Sequence, residues 1–263
     1  MTVYTLGPAG TFSHELAIRL YGQDVTLIST ISGIFAEVEK GDGTGVIPLE
    51  NSEAGGVGAT LDGLRRSGVS IIAEAYREIH HHLAAFEPLE GIERIYVHPQ
   101  THEQCSRVLD RLDREIVHTS SNAASAIEMQ KVPHSAAVVS RMTADLYGIP
   151  ILCEYIENNR DNVTRFIVIS ARQDLSPGAS KCSILIDPQI DRAGLLHEIL
   201  GVFASRQINL TRIESRPSKR RMGSYVFFID LVYSPGWKEA MSELERMTPV
   251  RLLGCYPCLE VPG

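Results

Sequence analysis

Three short stretches place hydroxyls, amides and glycines where backbone geometry favours anions. The first, Gly7-Pro8-Ala9-Gly10-Thr11-Phe12-Ser13-His14, stands between a strand and a helix. Unpaired N–H groups at a helix start attract carboxylates, and the Thr11 and Ser13 hydroxyls add donors. A plain N-cap by Thr11 or Ser13 accounts for the same residues. The second, Pro48-Leu49-Glu50-Asn51-Ser52, closes a very short apolar strand at the end outside which open α/β sheets hold their ligands. The third, Asn162-Val163-Thr164-Arg165-Phe166, opens another strand with a hydroxyl, a guanidinium and an aromatic ring. Strand alternation puts Thr164 and Phe166 on one face and Arg165 on the other. It explains Phe166 alone, but not Asn162 and Thr164 together.

Other signals are weaker. Gly41-Asp42-Gly43-Thr44-Gly45 precedes a strand, whereas a dinucleotide fingerprint follows one, so it reads as a helix end and turn. His80-His81-His82 alternates faces and has no second ligand cluster at metal spacing. Cys255-Tyr256-Pro257-Cys258 lacks the second pair that zinc needs and the helix start that redox chemistry needs; it reads as free thiols. The basic run Arg216 to Arg221 reads as a solvated hairpin tip.

The elements that carry the three stretches alternate. Strands at Thr2–Leu6, Val25–Ile28, Gly45–Pro48 and Val69–Ala75 are separated by helices at about Ser13–Tyr21, Ile31–Lys40 and Ala59–Arg66. Such alternation indicates a largely parallel sheet with covered faces. The pattern restarts after Tyr76, with a helix over Gln100–Leu112 and strands that include Ile151–Ile156 and Thr164–Ser170. Two α/β lobes result: lobe 1 at about 1–77 and 160–175, lobe 2 at about 78–159, with the last strand returning to the first lobe. Gln173–Ser180, rich in Ser, Pro and Gly, reads as a linker that closes a first domain at about 178. Residues 181–259 follow the order βαββαβ, the ferredoxin-like pattern, with a strand at Ile208–Glu214 and a first helix at Ala193–Ala204.

Charge and composition narrow the partners. The 263 residues carry a net charge of −7. Residues 1–180 hold 14 basic and 23 acidic side chains, against 11 and 9 in the remainder. An acidic chain with one Trp is a poor fit to nucleic acid. An anion bound by the first part must rely on local donors. Five scattered cysteines argue against a disulfide framework. No signal peptide and no membrane-length apolar run is visible, which makes the cytoplasm the default compartment and no membrane partner the expectation.

Taken in order, Gly7 to Ser13, Pro48 to Ser52, His98-Pro99-Gln100 with Gln104-Cys105, and Asn162 to Phe166 resemble the successive motifs of the prephenate dehydratase family. The second domain resembles the ACT regulatory domain of the same enzymes through Gly194-Leu195-Leu196, Ile208-Asn209-Leu210-Thr211 and Glu214-Ser215-Arg216-Pro217. Four positions depart from the family pattern: Ala9, Ala54, Asn158 and Leu195. No chorismate mutase segment precedes the first strand, so the resemblance implies a monofunctional enzyme.

The resemblance implies a catalytic domain like the type II periplasmic binding proteins, with the substrate between the lobes. The implied reaction converts prephenate to phenylpyruvate, water and carbon dioxide, with no metal and no cofactor. Thr164, Arg165 and Phe166 are the implied catalytic set, with the Thr164 hydroxyl as donor to the departing oxygen. Thr11, Phe12, Ser13, Glu50, Asn51, Ser52 and Asn162 are the implied substrate-binding set. Ser120, Ser121 and Asn122, between a strand and a helix of the second lobe, are a further donor set. Asn51 and Ser52 are expected to meet a carboxylate, and Glu50 to bond a ring hydroxyl or orient its loop. Phenylalanine is the implied feedback effector, at a subunit interface of a homodimer or homotetramer. Gly194, Leu195, Leu196, Glu214 and Ser215 would come from one chain and Asn209 and Leu210 from its neighbour. Arogenate dehydratase and a non-catalytic amino-acid sensor are the alternatives.

Overall fold

The computed structural model describes residues 2–41, 43–172, 178–190 and 192–262. Asp42 and most of the expected linker, residues 173–177, lie outside the described residues.

The first lobe opens with β1 (Thr2–Leu6), α1 (Phe12–Tyr21), β2 (Val25–Ile28) and α2 (Ile31–Glu39). It continues with β3 (Gly43–Asn51), β4 (Gly55–Gly56), α3 (Gly58–Arg66) and β5 (Ser70–Glu78). The second lobe holds β6 (His82–Ala85), β7 (Arg94–Val97), α4 (Pro99–Gln104), α5 (Ser106–Leu112), β8 (Glu115–His118), α6 (Asn122–Met129), β9 (Ser135–Val139), α7 (Arg141–Tyr147) and β10 (Ile151–Cys153). The chain then returns as β11 (Val163–Ser170).

Strand order is β2-β1-β3-β11-β5 in the first lobe and β10-β6-β9-β7-β8 in the second. Both sheets are mixed, which corrects the largely parallel sheet expected from the alternation. β11 lies antiparallel to both β3 and β5, and β6 antiparallel to β9 and β10. The reason is the double crossing: the chain leaves the first lobe after β5 and re-enters as β11, so the two strands run in opposite directions, Val163 opposite Glu78. The expected helix over Gln100–Leu112 is two helices, broken at Cys105. The expected strand Ile151–Ile156 stops at Cys153.

The last part comprises β12 (Lys181–Ile186), α8 (Leu195–Ala204), β13 (Leu210–Pro217), β14 (Tyr225–Val232), α9 (Trp237–Met247) and β15 (Val250–Tyr256). Its sheet order β13-β14-β12-β15 is antiparallel throughout, as a ferredoxin-like unit requires. β13 begins two residues later than expected and runs on to Pro217. Cys182 and Cys255 oppose each other on β12 and β15 and form a disulfide, which corrects the reading of Cys255 as a free thiol; Cys258 is free. Direct cross-strand opposition brings together cysteines that are 73 residues apart in sequence.

One face of this sheet carries α8 and α9 over Ile184, Ile186, Ile229 and Leu231. The other face packs on the first lobe. Leu185, Val226, Phe228, Leu253 and Tyr256 share one buried cluster with Leu64, Ile71, Ile167 and Ile169. β15 approaches so closely at Gly254 that a Cβ there would stand 2.0 Å from the Ile71 carbonyl oxygen. The tail continues along β5, with Glu74 N–H donating to Pro257 O at 3.0 Å and Leu259 N–H to Glu74 O at 2.7 Å. The basic run is not a free tip: Lys219 pairs with Asp62 of α3, and Arg220 with Asp187 at 2.6 Å. Among the described residues, no helix is long and apolar enough to cross a membrane.

Candidate active site

A cavity of about 420 Å³ lies between the lobes, and all three stretches reach it. Gly10 to Ser13 and the end of β3 line it from the first lobe, Ser120 to Asn122 from the second, and Thr164 and Phe166 from the returning strand. No Arg or Lys lines it among the described residues. An anion here meets two helix N-termini from opposite lobes, those of α1 and α6.

Thr11 is the N-cap of α1. Its Oγ1 accepts from His14 N–H at 3.3 Å and donates to Leu6 O at 2.8 Å, so its hydroxyl is spent on the fold. Ser13 is buried on the cleft side of the helix, and its side chain makes no hydrogen bond among the described residues. Ser121 caps α6 by accepting from Ala124 N–H at 3.0 Å. Asn122 accepts through Oδ1 from Thr101 Oγ1 at 2.9 Å, which leaves its amide hydrogens for a ligand.

β3 and β11 pair with Asn51 opposite Thr164. Asn51 Nδ2 donates to Thr164 Oγ1 at 2.9 Å and to Asn162 Oδ1 at 2.6 Å. Its Oδ1 accepts from Glu53 and Ala54 N–H at 3.1 and 3.0 Å, tightening the turn into β4. Both amide hydrogens are therefore used, and Asn51 has none for a substrate carboxylate. Because Thr164 Oγ1 accepts from Asn51, its own hydrogen is free to donate into the cleft. Ser52 and Asn162 stand behind this pair and outside the cavity lining. Ser52 Oγ accepts from Val163 N–H at 3.0 Å, and Asn162, 1 % exposed, anchors Asn51.

Arg165 and Glu50, expected in the site, are not in the cleft. They form the next cross-strand pair along the ladder, on the opposite sheet face, where the ferredoxin-like unit covers them. Alternation already turned Arg165 away from Thr164; what lay on that face is a long-range fact the local sequence does not carry.

The structure also brings His81, His98, Gln100, Thr101, Gln104 and Ser140 to the cavity. Gln100 and Gln104 lay in a motif already noted, whereas His81 was masked by its two neighbours in the histidine run. Burial pushes His81 down to about 4, so it is a neutral imidazole whose Nε2 meets Gln104 Oε1 at 3.2 Å. Phe12 packs edge-on against its ring, 5.7 Å between centroids. The three-histidine run makes no metal cluster among the described residues.

The expected effector residues divide. Gly194, Leu195 and Leu196 line a separate cavity of about 280 Å³, with Arg192, Tyr225 and Phe227. Asn209, Leu210, Glu214 and Ser215 do not line it. Glu214 instead faces the first lobe, within contact of Gly56 and paired to Arg212.

Two α/β lobes around a donor-lined cleft without Arg or Lys, with a ferredoxin-like unit packed on the far face of the first-lobe sheet, define a small-anion enzyme with an attached regulatory-type domain. The prephenate dehydratase family profile matches residues 3–174 and the ACT domain profile residues 184–246. The chain belongs to the prephenate dehydratase family, and is a lyase carrying an ACT domain. It is 38% identical over 268 residues to a bifunctional chorismate mutase/prephenate dehydratase of Pseudomonas aeruginosa, covering 98% of this chain and 73% of that one. It is 34% identical to a prephenate dehydratase of Methanocaldococcus jannaschii, covering 98% of each. A solved prephenate dehydratase from Arthrobacter aurescens in complex with L-Phe superposes with a TM-score of 0.87 at 32% identity, over 98% of this chain and 90% of that one.

Proposed function

We propose that the cleft between the lobes binds prephenate and converts it to phenylpyruvate, with the Thr164 hydroxyl as donor to the leaving oxygen. The carboxylate on the ring leaves as carbon dioxide, and its bonding electrons aromatise the ring and expel the hydroxyl at the far carbon. That hydroxyl gains one proton and departs as water. A threonine hydroxyl is too weak an acid to supply the proton outright at neutral pH, so it stabilises the departing oxygen while solvent makes up the balance. The hydrogen bond from Asn51 to Thr164 Oγ1, which leaves the hydroxyl hydrogen pointing to no protein acceptor among the described residues, carries this assignment.

The two substrate carboxylates find their partners at the N-termini of α1 and α6, where Ser13, Ser120 and Asn122 add side-chain donors. Phe12 and Phe166 offer apolar walls to the ring. Asn51, Ser52 and Asn162 position Thr164 rather than bind the substrate. Incubation with prephenate and, separately, arogenate, following phenylpyruvate and phenylalanine, tests the reaction. Phenylpyruvate from prephenate is the expected product. Turnover of arogenate alone would reassign the substrate, and turnover of neither would leave a sensor.

Phenylalanine as effector fits the smaller cavity, where Gly194 precedes α8 and Tyr225 and Phe227 offer aromatic faces. We also place the protein in the cytoplasm as a homo-oligomer. β13 is an edge strand with Ile213 47 % exposed, the kind of edge that pairs with a second copy. Light scattering with and without phenylalanine checks the assembly.

A further inference from the structure

The Asn51–Thr164 pair faces the cleft, and the adjoining pair on the same two strands, Glu50–Arg165, faces the ACT domain. Arg165 is 3 % exposed and uses every edge of its guanidinium. Nε donates to Glu74 at 2.7 Å, Nη1 to Glu50 at 3.0 Å and to Asp230 at 2.5 Å, and Nη2 to Tyr256 Oη at 3.0 Å. Glu74 is on β5, so Arg165 ties the adjacent strands β3, β11 and β5 of the first lobe to β14 and β15 of the ACT domain. Arg212 of β13 holds the other oxygen of Glu50 at 2.5 Å, and Lys181 of β12 holds Glu74 at 2.8 Å. Ser183 joins Asp230 to Tyr256. Burial works against the charge on Arg165, but Asp230 and Glu74 outweigh it and hold the guanidinium above its ordinary value.

Adhesion between the domains does not need these charges. The apolar cluster around Ile71, Phe228 and Leu253 already joins them. A buried ion network is a poor source of net stability but a strong source of specific geometry, because a displaced partner strands an uncompensated charge. The register shift between Arg165 and Phe166 against β3 lies right beside it, at the point where the strand could otherwise slip.

We propose that Arg165 is a positioning residue for dehydration: through the Glu50–Arg165 pair, Asp230, Tyr256 and Arg212 of the ACT domain set the position of the Thr164 hydroxyl on the opposite face. The assignment rests on the cleft being the site of dehydration and Thr164 its donor. It gives the guanidinium no contact with substrate; it acts through the neighbouring residue.

Asp230→Asn tests this in the full-length enzyme, because it removes the charge on the ACT side while keeping shape and a hydrogen bond to Ser183. The kcat for prephenate is expected to fall about tenfold, with KM changed less than about twofold, as misplacement of a reacting group costs turnover rather than binding. In a Thr164→Ala background the same substitution is expected to change kcat by less than about twofold, since the group it positions is gone. A merely structural role would reduce kcat by the same factor in both backgrounds, and that result would overturn the proposal. So would an unchanged kcat in folded Asp230→Asn. Should Asp230→Asn fail to fold by circular dichroism, Tyr256→Phe enters the same cycle, with about a threefold loss of kcat expected in the parent and none in Thr164→Ala. Full turnover in Thr164→Ala itself would overturn the dehydration site, a failure separate from that of the positioning role.

Discussion

The cleft and the interdomain seam lie on opposite faces of the same two strands, yet they are built from opposite chemistry. The cleft face of β3 and β11 carries Asn51 and Thr164, uncharged and facing a cavity. The seam face carries Glu50 and Arg165, both charged, with Arg165 sealed among Glu74, Asp230 and Tyr256 and Glu50 half-buried at its edge. Under the proposed function, a substrate with two carboxylates is met by neutral donors and helix N-termini, where no fixed cation has to release the product. The cations are spent instead on fixing where the ACT domain sits. Alternate residues of one ladder can thus serve chemistry and assembly, because strand neighbours point to opposite faces.

The largest effect is expected on the seam side. Phe228→Ala removes a ring that is 3 % exposed from the cluster shared by the two domains. It is expected to cost about 3–5 kcal/mol of stability. Denaturant unfolding checks the loss, and a fall below about 1 kcal/mol would mean the domains do not share a core. For the same reason the catalytic lobes without residues 181–263 would expose Ile71 and Leu64 and are expected to lose cooperative unfolding.

On the cleft side, Thr164→Ala is expected to lower kcat by about 10²–10³, the cost of losing one donor to developing negative charge. Thr164→Ser keeps the hydroxyl and should retain more turnover. Steady-state kinetics with prephenate separates the two, and near-normal kcat in Thr164→Ala would remove it from the mechanism.

Asn51→Ala is expected to act on kcat more than on KM, by about tenfold or more, because its amide holds Thr164 and has no hydrogen left for substrate. A rise in KM with kcat unchanged would return Asn51 to carboxylate binding.

The smallest effect concerns His81. Its folded-state value, lowered by burial to about 4, lies below the unfolded one of 6.5. The unfolded chain therefore binds more protons between these values, and stability falls as pH falls. From pH 6.5 to 5.5 the loss is about 1 kcal/mol. Urea midpoints at the two pH values, compared with His81→Gln, check it. An equal pH dependence in the variant would contradict a neutral buried His81.

Much of this was legible in the residues. Thr11 to Ser13, the end of β3, Thr164 and Phe166 do converge on one cavity, whereas the return of β11 to the first lobe was a matter of topology that no residue spelled out. What the residues hid was how each polar group is used. Thr11 has a hydroxyl whether it caps a helix or binds a ligand, and only the 2.8 Å bond to Leu6 O decides. Asn51 reads as a free amide until the turn into β4 takes its oxygen and β11 takes its nitrogen. Arg165 is paired with Asp230, 65 residues away, and Cys182 with Cys255, 73 away. Such pairings depend on how the ACT domain docks, and no local pattern encodes that docking.

Asn51 and Thr164 act together as one donor in this picture, and a double-mutant cycle on kcat is the decisive experiment. If Asn51 acts by holding the Thr164 hydroxyl, Asn51→Ala combined with Thr164→Ala should turn over prephenate within about twofold of Thr164→Ala alone. If the two losses multiply in full, Asn51 serves the reaction by another route and the account of the cleft is wrong.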